Sequence, residues 1–575
     1  MNPFVEEVVE RAAAAMGMEP SAVVALISVP PDEGLGDYAI PCFALAKERK
    51  QSPVAIAGDI AREIANKIDA TGTAPSHINR VEAVGPYINF TLDRSRFIGY
   101  VLGEVSRQEA GYGSRNQGQG KTFVIDFSSP NLAKPFSIAH LRSTAIGNAI
   151  YRLHDFTGWR CIGINHLGDY GANFGQLLAA YRLWADEDAV RANAVPELFA
   201  LYVRFNEEVA ENPDLTEQAR ACLRALAEGD AEMVGLWRYF VDESTKEAER
   251  IYGILDVHFD VFLGESFFAD KLADVVAQFE SAGLAEESDG ALIVRLEDGE
   301  DMAPCMLRTS NNTSTYHSRD IAALLHRREQ YDFDKMVYVT DMRQALHFRQ
   351  VFKALELLGL NWVSRCVHAP FGMMSFKGAA MSSRKGHIVF LEEVLGQAVA
   401  LTSGIIAAKN PDLANSDEIA NQVGISAVIF ADVNNRRTRD ISFDLEEVLT
   451  FDGETGPYVQ YTHARFCSIL RKHGSPADPD ADLSRLGELA EMRVARQLSE
   501  FPDTVERACD ENEPSYIAAY LIDLATVANR FYNEQPVLVA ADEPLTVARI
   551  RLVDSVCLVL RSGLSLLGMK APQEM

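Results

Sequence analysis

The run from Asp126 to Thr144, DFSSPNLAKPFSIAHLRST, sets a lysine and a histidine where a strand gives way to a helix. Val124, Ile125 and Phe127 supply the strand character. Pro130 and Pro135 mark a loop carrying Lys134, and a helix opens near His140. A helix that begins at the end of a parallel strand presents unpaired N–H groups and the positive end of its dipole, which together favour a phosphate chain. His140 there suits donating hydrogen bonds to phosphates as negative charge builds. Lys134 suits a mobile point charge on the same phosphates. The chemistry is work on a nucleotide.

A second phosphate candidate is Ala380 to Gly386, inside FKGAAMSSRKGHIVF. Met381, Ser382, Arg384 and Lys385 combine small residues, hydroxyls and two cations after a glycine-flanked turn, the composition of a flexible loop that closes over pyrophosphate. Gly118 to Thr122 imitates a nucleotide P-loop and fails twice. Arg115 stands where the earlier glycine is required, and the segment enters a strand rather than a helix.

The elements that position these residues follow from pattern. TFVIDF, the His140 helix, CIGINHLGDYG and later KMVYVT and IVFLEEVL read as strands alternating with helices, hence an α/β domain around a parallel sheet. We place it at 118–395, with a helical, acidic insertion at about 186–290. Residues 1–105 form an α+β unit: a helical start, an amphipathic helix over Val54 to Ile68 and a short strand in GPYINFTL. Connecting helices fill 396–455, and 456–575 reads as amphipathic helices with breaks near 475–482 and at Glu543-Pro544.

The chain has 575 residues, too many for one core, so about three to four domains are expected. No run approaches the roughly eighteen apolar residues that span a bilayer, and the acidic N-terminus reads as an amphipathic helix rather than a signal peptide. Eight cysteines stand apart, with no CxxC pair and no clustered His, which argues against a zinc site and for a reduced, cytoplasmic protein. A net charge of −28 argues by itself against a nucleic-acid partner. Such a partner requires local basic tracks, for which Asn435 to Arg439 and Arg465 with Arg471 and Lys472 are candidates.

The 126–144 run resembles the HxGH signature of class I aminoacyl-tRNA synthetases, and the flanking SSPNLAKPF and HLRST resemble the arginyl family in particular. Ser137 stands for the first His of that signature and Ala139 for its Gly. The family implies an ATP site that includes Ser137, Ala139, His140 and Met381. The 380–386 run takes the place of the KMSKS loop with Ala380 and Ser383 where lysines are usual. Lys134 fits the compensating lysine that arginyl enzymes carry before HxGH. A Cβ at Ala139 crowds the close approach that glycine allows, so weaker ATP binding is expected.

For arginine, whose guanidinium wants planar carboxylate acceptors, the resemblance implies a pocket of Asp126, Asn131, Tyr316, Asp320 and the region of Gln344. Asn131 suits the α-carboxylate or α-amino group. Tyr316 and Asp320, four apart, share a face if the stretch is helical. His347 matches the polar pocket wall, Ala345 stands where an acid is often found, and His166, Gly168 and Asp169 match a further motif near the site. The C-terminal run, from FDGETGPYVQYTHAR almost to Met575, resembles the helical anticodon-binding domain. There Tyr458, Tyr461 and Tyr532 offer faces for unpaired bases, with Arg465 and Arg530 near phosphates. The N-terminal unit resembles the domain that touches the tRNA elbow, where Tyr87 and Asn89 read an exposed base.

The resemblance covers nearly the whole chain. It implies a Rossmann-like catalytic domain and an arginine–tRNA ligase reaction, with ATP as substrate, Mg2+ accompanying it, no zinc, tRNA for arginine and L-arginine as partners, no membrane, and a monomer. Two other readings stay open on Ser137 and Ala139: an arginine- or analogue-activating paralogue of a specialised pathway, and a catalytically dead tRNA-binding protein.

Overall fold

The computed structural model describes residues 2–70, 76–296, 302–311, 313–376, 389–539 and 541–575. The chain divides into two compact units. One comprises residues 1–112, 466–501 and 523–559. Its opening helix, Pro3–Met16, is capped by the Asn2 side chain, which accepts from the Val5 N–H at 2.9 Å, and it ends on Gly17 at φ 72°. Strands Tyr38–Pro41, Tyr87–Leu92 and Ile78–Val84 form an antiparallel sheet in that spatial order. The helices Pro53–Ala70 and Arg94–Gln108 belong to the same unit. The N-terminal segment and part of the C-terminal helices share this unit: Tyr112 Oη donates to the Leu498 carbonyl at 2.9 Å, and Arg496 pairs with Asp37. Arg549 and Glu491 form a buried ion pair at 2.8 Å. The compact unit therefore crosses the boundaries expected at 105 and 456.

The other unit comprises 113–465, 502–522 and 560–575. Its centre is a five-stranded, all-parallel sheet in the spatial order Cys366–His368, Lys335–Tyr338, Thr122–Asp126, Arg160–Leu167, Val261–Gly264. Numbered along the chain, that order is 5-4-1-2-3. The direction of winding reverses between Thr122–Asp126 and Lys335–Tyr338, so the crevice outside the carboxyl ends of those two strands is the natural ligand site of an open parallel sheet. Phe123, Val124, Ile125, Met336 and Val337 are fully buried, as expected for strands covered on both faces.

Three expectations need correction. In the IVFLEEVL run Ile388 lies outside the described residues, and Val389 to Leu395 are not a strand. Beyond a single bridge between Phe390 and Ser137, the chain enters the helix Leu391–Lys409. Leu391, Val394, Leu395 and Ala398 are buried at helical spacing, and Glu392 and Glu393 occupy the first turn where the dipole favours them. The same helix is long and apolar enough to cross a membrane by length and composition, contrary to the reading that no run approaches that; it packs against the helix Ser416–Val433. The insertion is also shorter than 186–290. Helices run from Glu187 to Leu255, after which Val261–Gly264 returns to the central sheet beside Arg160–Leu167. A four-residue strand carries too little pattern to stand out.

Arg142 fastens the second turn of the helix Ile138–Phe156. Its side chain is 1% exposed and donates to Asp432 Oδ1 at 2.8 Å and to the carbonyls of Gly372 and Arg439, each at 2.8 Å. Gly372 is required there, since a Cβ would come within 2.5 Å of the Arg439 backbone. Asp432 is pushed up to about 6 by burial against the opposing pull of Arg142.

Candidate active site

The strand Thr122–Asp126 ends in a loop whose backbone is unusual. Ser128, Ser129 and Ala133 all take positive φ, at 66°, 45° and 58°. Such conformations are costly for residues with a Cβ and gather where a site over-determines them. Ser128 is held by Ser143 Oγ, which accepts its N–H at 2.9 Å, and by hydroxyl contacts of 2.8 Å to both Thr144 and Tyr252. Ser129 Oγ donates to Asp126 at 2.7 Å and accepts the His166 N–H at 3.2 Å. Ala133 N–H donates to Ser244 Oγ at 2.9 Å.

The helix begins at Ile138 with Ser137 as its cap. His140 is the third helical residue, and the Ser137 backbone N–H donates to its Nδ1 at 3.0 Å. That bond fixes the tautomer: Nδ1 accepts, so the proton sits on Nε2, which is left to donate. Burial, and then the charge of Lys134, push His140 down to about 4, so the ring is neutral at physiological pH. Lys134 lies over the Tyr202 ring, 4.1 Å from its centroid. Ala139 is exposed at the second helical position.

The carboxylates divide their roles. Asp126 faces a buried arginine that the sequence reading missed: Arg327, 2% exposed, pairs with it at 2.7 Å. The expectation that Asp126 contributes a carboxylate to substrate arginine therefore meets an internal guanidinium already in place. Asp320 is different. His347 Nε2 lies 2.5 Å from Asp320 Oδ2, while Oδ1 has no hydrogen-bond partner among the described residues. Burial alone would raise Asp320; the hydrogen bond and charge of His347, with His166 and Arg327, hold it below the ordinary carboxylate range. Tyr316 is 70% exposed at the start of the helix Tyr316–Tyr331, and Gln344 is exposed on a short turn after Lys335–Tyr338.

Asn131 forms an isolated bridge with Gly168, and the Leu132 N–H donates to the Gly168 carbonyl at 3.2 Å. A Cβ on Gly168 would overlap Asn131 Oδ1. Replacing Gly168 by alanine therefore moves the Asn131 amide. The expected result is an arginine KM raised about three- to tenfold, the loss of one hydrogen bond, with the thermal midpoint little changed. Asp169 is structural: it accepts from the Ser266 N–H at 2.9 Å, its carbonyl accepts from Trp237 at 2.7 Å, and burial raises its pKa. His166 is lowered by burial and by Arg327.

Met381, Ser382, Arg384 and Lys385 lie outside the described residues. Of the tRNA candidates, Tyr87 is exposed, but Asn89 is 3% exposed with its Oδ1 buried and unbonded, so it does not meet an exposed base in this conformation. Arg530 bonds Glu534 at 2.6 Å within the first unit, which also holds Tyr532. Tyr458, Tyr461, Arg465 and Met575 belong to the second unit. There Arg465 stacks 4.8 Å from the exposed Tyr461 ring, and Tyr461 stands edge-on to Phe451 at 6.3 Å. Met575 and Phe451 pack on the Ile406, Ile419 and Val423 cluster. In the basic run at 435–439, Arg436 and Arg439 stay exposed, Arg436 donates to Tyr516 at 2.7 Å, and the half-buried Arg437 donates to the carbonyls of Asn512 and Pro370.

Comparison with known proteins places this geometry. Residues 104–445 match the family model for the catalytic domain of class I tRNA synthetases (R), residues 459–575 the DALR anticodon binding domain, and residues 4–92 the arginyl tRNA synthetase N-terminal domain. The chain is 43% identical over 558 residues to an arginine–tRNA ligase of Clostridium botulinum, covering 97% of each. It is 43% identical over 553 residues to one of Clostridioides difficile, covering 96% of each. The arginyl-tRNA synthetase structure from Thermus thermophilus superposes with a TM-score of 0.82 at 28% identity, covering 99% of this chain and 100% of that one. The one from Plasmodium falciparum, at 22% identity and a TM-score of 0.79, covers 100% of both chains and shares the fold. With a doubly wound sheet, a helix N-terminus at its switch point and three family models in order along its length, the chain belongs to the arginyl-tRNA synthetase family of class I.

Proposed function

We propose that the chain activates L-arginine with ATP and passes the arginyl group to the terminal ribose 2′-hydroxyl of tRNA for arginine. The observation that carries this is the neutral His140, Nδ1 satisfied and Nε2 left to donate, at a helix N-terminus beside Lys134. The arginine carboxylate oxygen attacks the α-phosphorus, the bond to the bridging oxygen breaks, and pyrophosphate leaves. The 2′-hydroxyl then attacks the adenylate carbonyl and releases AMP. No side chain need form a covalent bond. Positioning and charge stabilisation supply the rate. Lys134, Ser137 and His140 act on the phosphates, joined by Ser382, Arg384 and Lys385, with Ala139 and Met381 beside the nucleotide. Asp320, with Asn131, Tyr316 and Gln344, takes arginine.

Magnesium enters with ATP, held by phosphate oxygens and water, and no zinc is assigned. We place the elbow-binding domain at 1–105, the catalytic domain at 118–395, the connecting helices at 396–455 and the anticodon-binding domain at 456–575. The reading has the protein work as a cytoplasmic monomer away from membranes, with Tyr87, Tyr458, Tyr461, Arg465, Arg530 and Met575 on tRNA. The relatives support arginine–tRNA ligation and lend none to a specialised paralogue or a dead tRNA binder.

The test is arginine-dependent exchange of pyrophosphate into ATP, with and without tRNA that reads arginine codons. Exchange that appears only with tRNA is the expected result. No exchange in either condition, alongside measurable tRNA binding, would overturn the reading. A KM for ATP near that of ordinary synthetases would show that Ala139 is tolerated.

A further inference from the structure

Lys134 has no carboxylate within ion-pair distance among the described residues; the partner of its ammonium is the face of Tyr202, 4.1 Å from the ring centroid. That choice has a chemical reason. A carboxylate would neutralise the lysine and compete with phosphate for its N–H groups, whereas an aromatic face steadies a cation and leaves its charge whole. Tyr202 is itself fixed. It is 4% exposed on the helix Ala194–Glu211, and its hydroxyl donates to Asn173 Oδ1 at 3.4 Å. Leu132 and Ala133, the residues just before Lys134, are buried in the same apolar cluster as Tyr202. Ala133 is locked at positive φ with its N–H on Ser244 Oγ, a residue of the helix Ala231–Leu255. Two helices of the insertion therefore flank Lys134, one holding the backbone of the preceding Ala133 and one meeting the ammonium. Lys134 stands four residues before Ile138, the first residue of the phosphate helix, and its charge disfavours protonation of His140.

We infer that Tyr202 is the positioning residue for Lys134: its ring holds the ammonium near the phosphate helix, charged and with N–H groups to give, so that ATP meets a lysine already in place. The role belongs to the ring rather than to the hydroxyl, and the helical insertion becomes a functional wall of the ATP site. The inference rests on the reading of Lys134 as a phosphate ligand.

The experiment measures ATP binding by isothermal titration, with pyrophosphate exchange in parallel, for the full chain and for Tyr202→Phe, Tyr202→Leu, Lys134→Met and the Tyr202→Leu/Lys134→Met double variant. Tyr202→Phe keeps ATP affinity. Tyr202→Leu weakens it about three- to tenfold, the scale of one cation–ring contact that is only partly desolvated, while the KM for arginine stays as it was. On the Lys134→Met background, Tyr202→Leu adds nothing. If Tyr202→Leu binds ATP like the parent, or if its effect persists without Lys134, the ring acts through packing alone and the inference is overturned. If Lys134→Met itself binds and exchanges normally, it is the phosphate role of Lys134 that fails. Should circular dichroism show Tyr202→Leu unfolded, Tyr202→Met, flexible and without a ring, takes its place in the same cycle.

Discussion

His140→Ala lowers arginine-dependent pyrophosphate exchange by about 10²–10³-fold, the cost of removing one donor aimed at developing charge in a water-poor site. The protein remains folded and keeps its affinity for tRNA, because His140 is half-buried at the first turn and Ser137 still caps the helix. The loss falls on kcat more than on the KM for ATP, since the donor matters most as negative charge builds. His140→Gln, which can present an N–H near the place of Nε2, recovers part of the rate. The pH profile supplies a second readout. The folded pKa of His140 lies near 4, below the ordinary histidine value of about 6.5. The neutral ring thus stabilises the fold fully above about 6.5, and that contribution is lost as pH falls from there through about 4. Activity should therefore show no histidine titration between pH 6 and 8 assignable to this ring. A limb in that range that disappears in His140→Gln would contradict the lowered pKa of this ring.

Asp320→Asn raises the KM for arginine about a hundredfold or more, because a charge-assisted pairing with guanidinium is replaced by a neutral one whose amide presents donors to donors. Exchange at saturating arginine is reduced far less than the KM is raised. The KM for ATP is unchanged. Asp126→Asn behaves differently: it leaves the buried Arg327 without its counter-ion, a loss of about 3–5 kcal/mol in stability. Comparing melting temperatures with arginine KM for the two variants separates recognition from scaffolding. Should Asp126→Asn melt normally and lose arginine instead, the division of labour between the two carboxylates is reversed.

The parts of the site that sequence made legible are those whose signals are local. The strand leading to Asp126, the prolines of the loop and the helix carrying His140 all lie within one stretch, and each is declared by residue type. The same holds for the opening helix, Pro3–Met16. What sequence hid is pairing across distance. Nothing near Asp126 announces that Arg327 will fill it, nothing near Lys134 announces Tyr202, and Asn89 looks available until its neighbours bury it. IVFLEEVL was readable after all: two glutamates followed by apolar residues at three and four places mark a helix start. The pull of the apolar run IVF obscured it. Arg142 and Asp432 had no local signature, since a buried ion pair shows itself only when two helices have met.

The acceptors of Arg142 bear on how the protein comes off the ribosome. Its partners Asp432 and the Arg439 carbonyl lie 290 and 297 residues further along the chain. At synthesis rates of about 5–20 residues per second, the arginine emerges roughly 15–60 seconds before them. Through that interval its guanidinium cannot be buried without losing water it has nothing to replace. The helix that presents His140 must wait half-made in the nascent chain, hydrated on the face that later becomes core. A chain stopped before Asp432 would hold every residue of the His140 run and still lack a finished phosphate cradle.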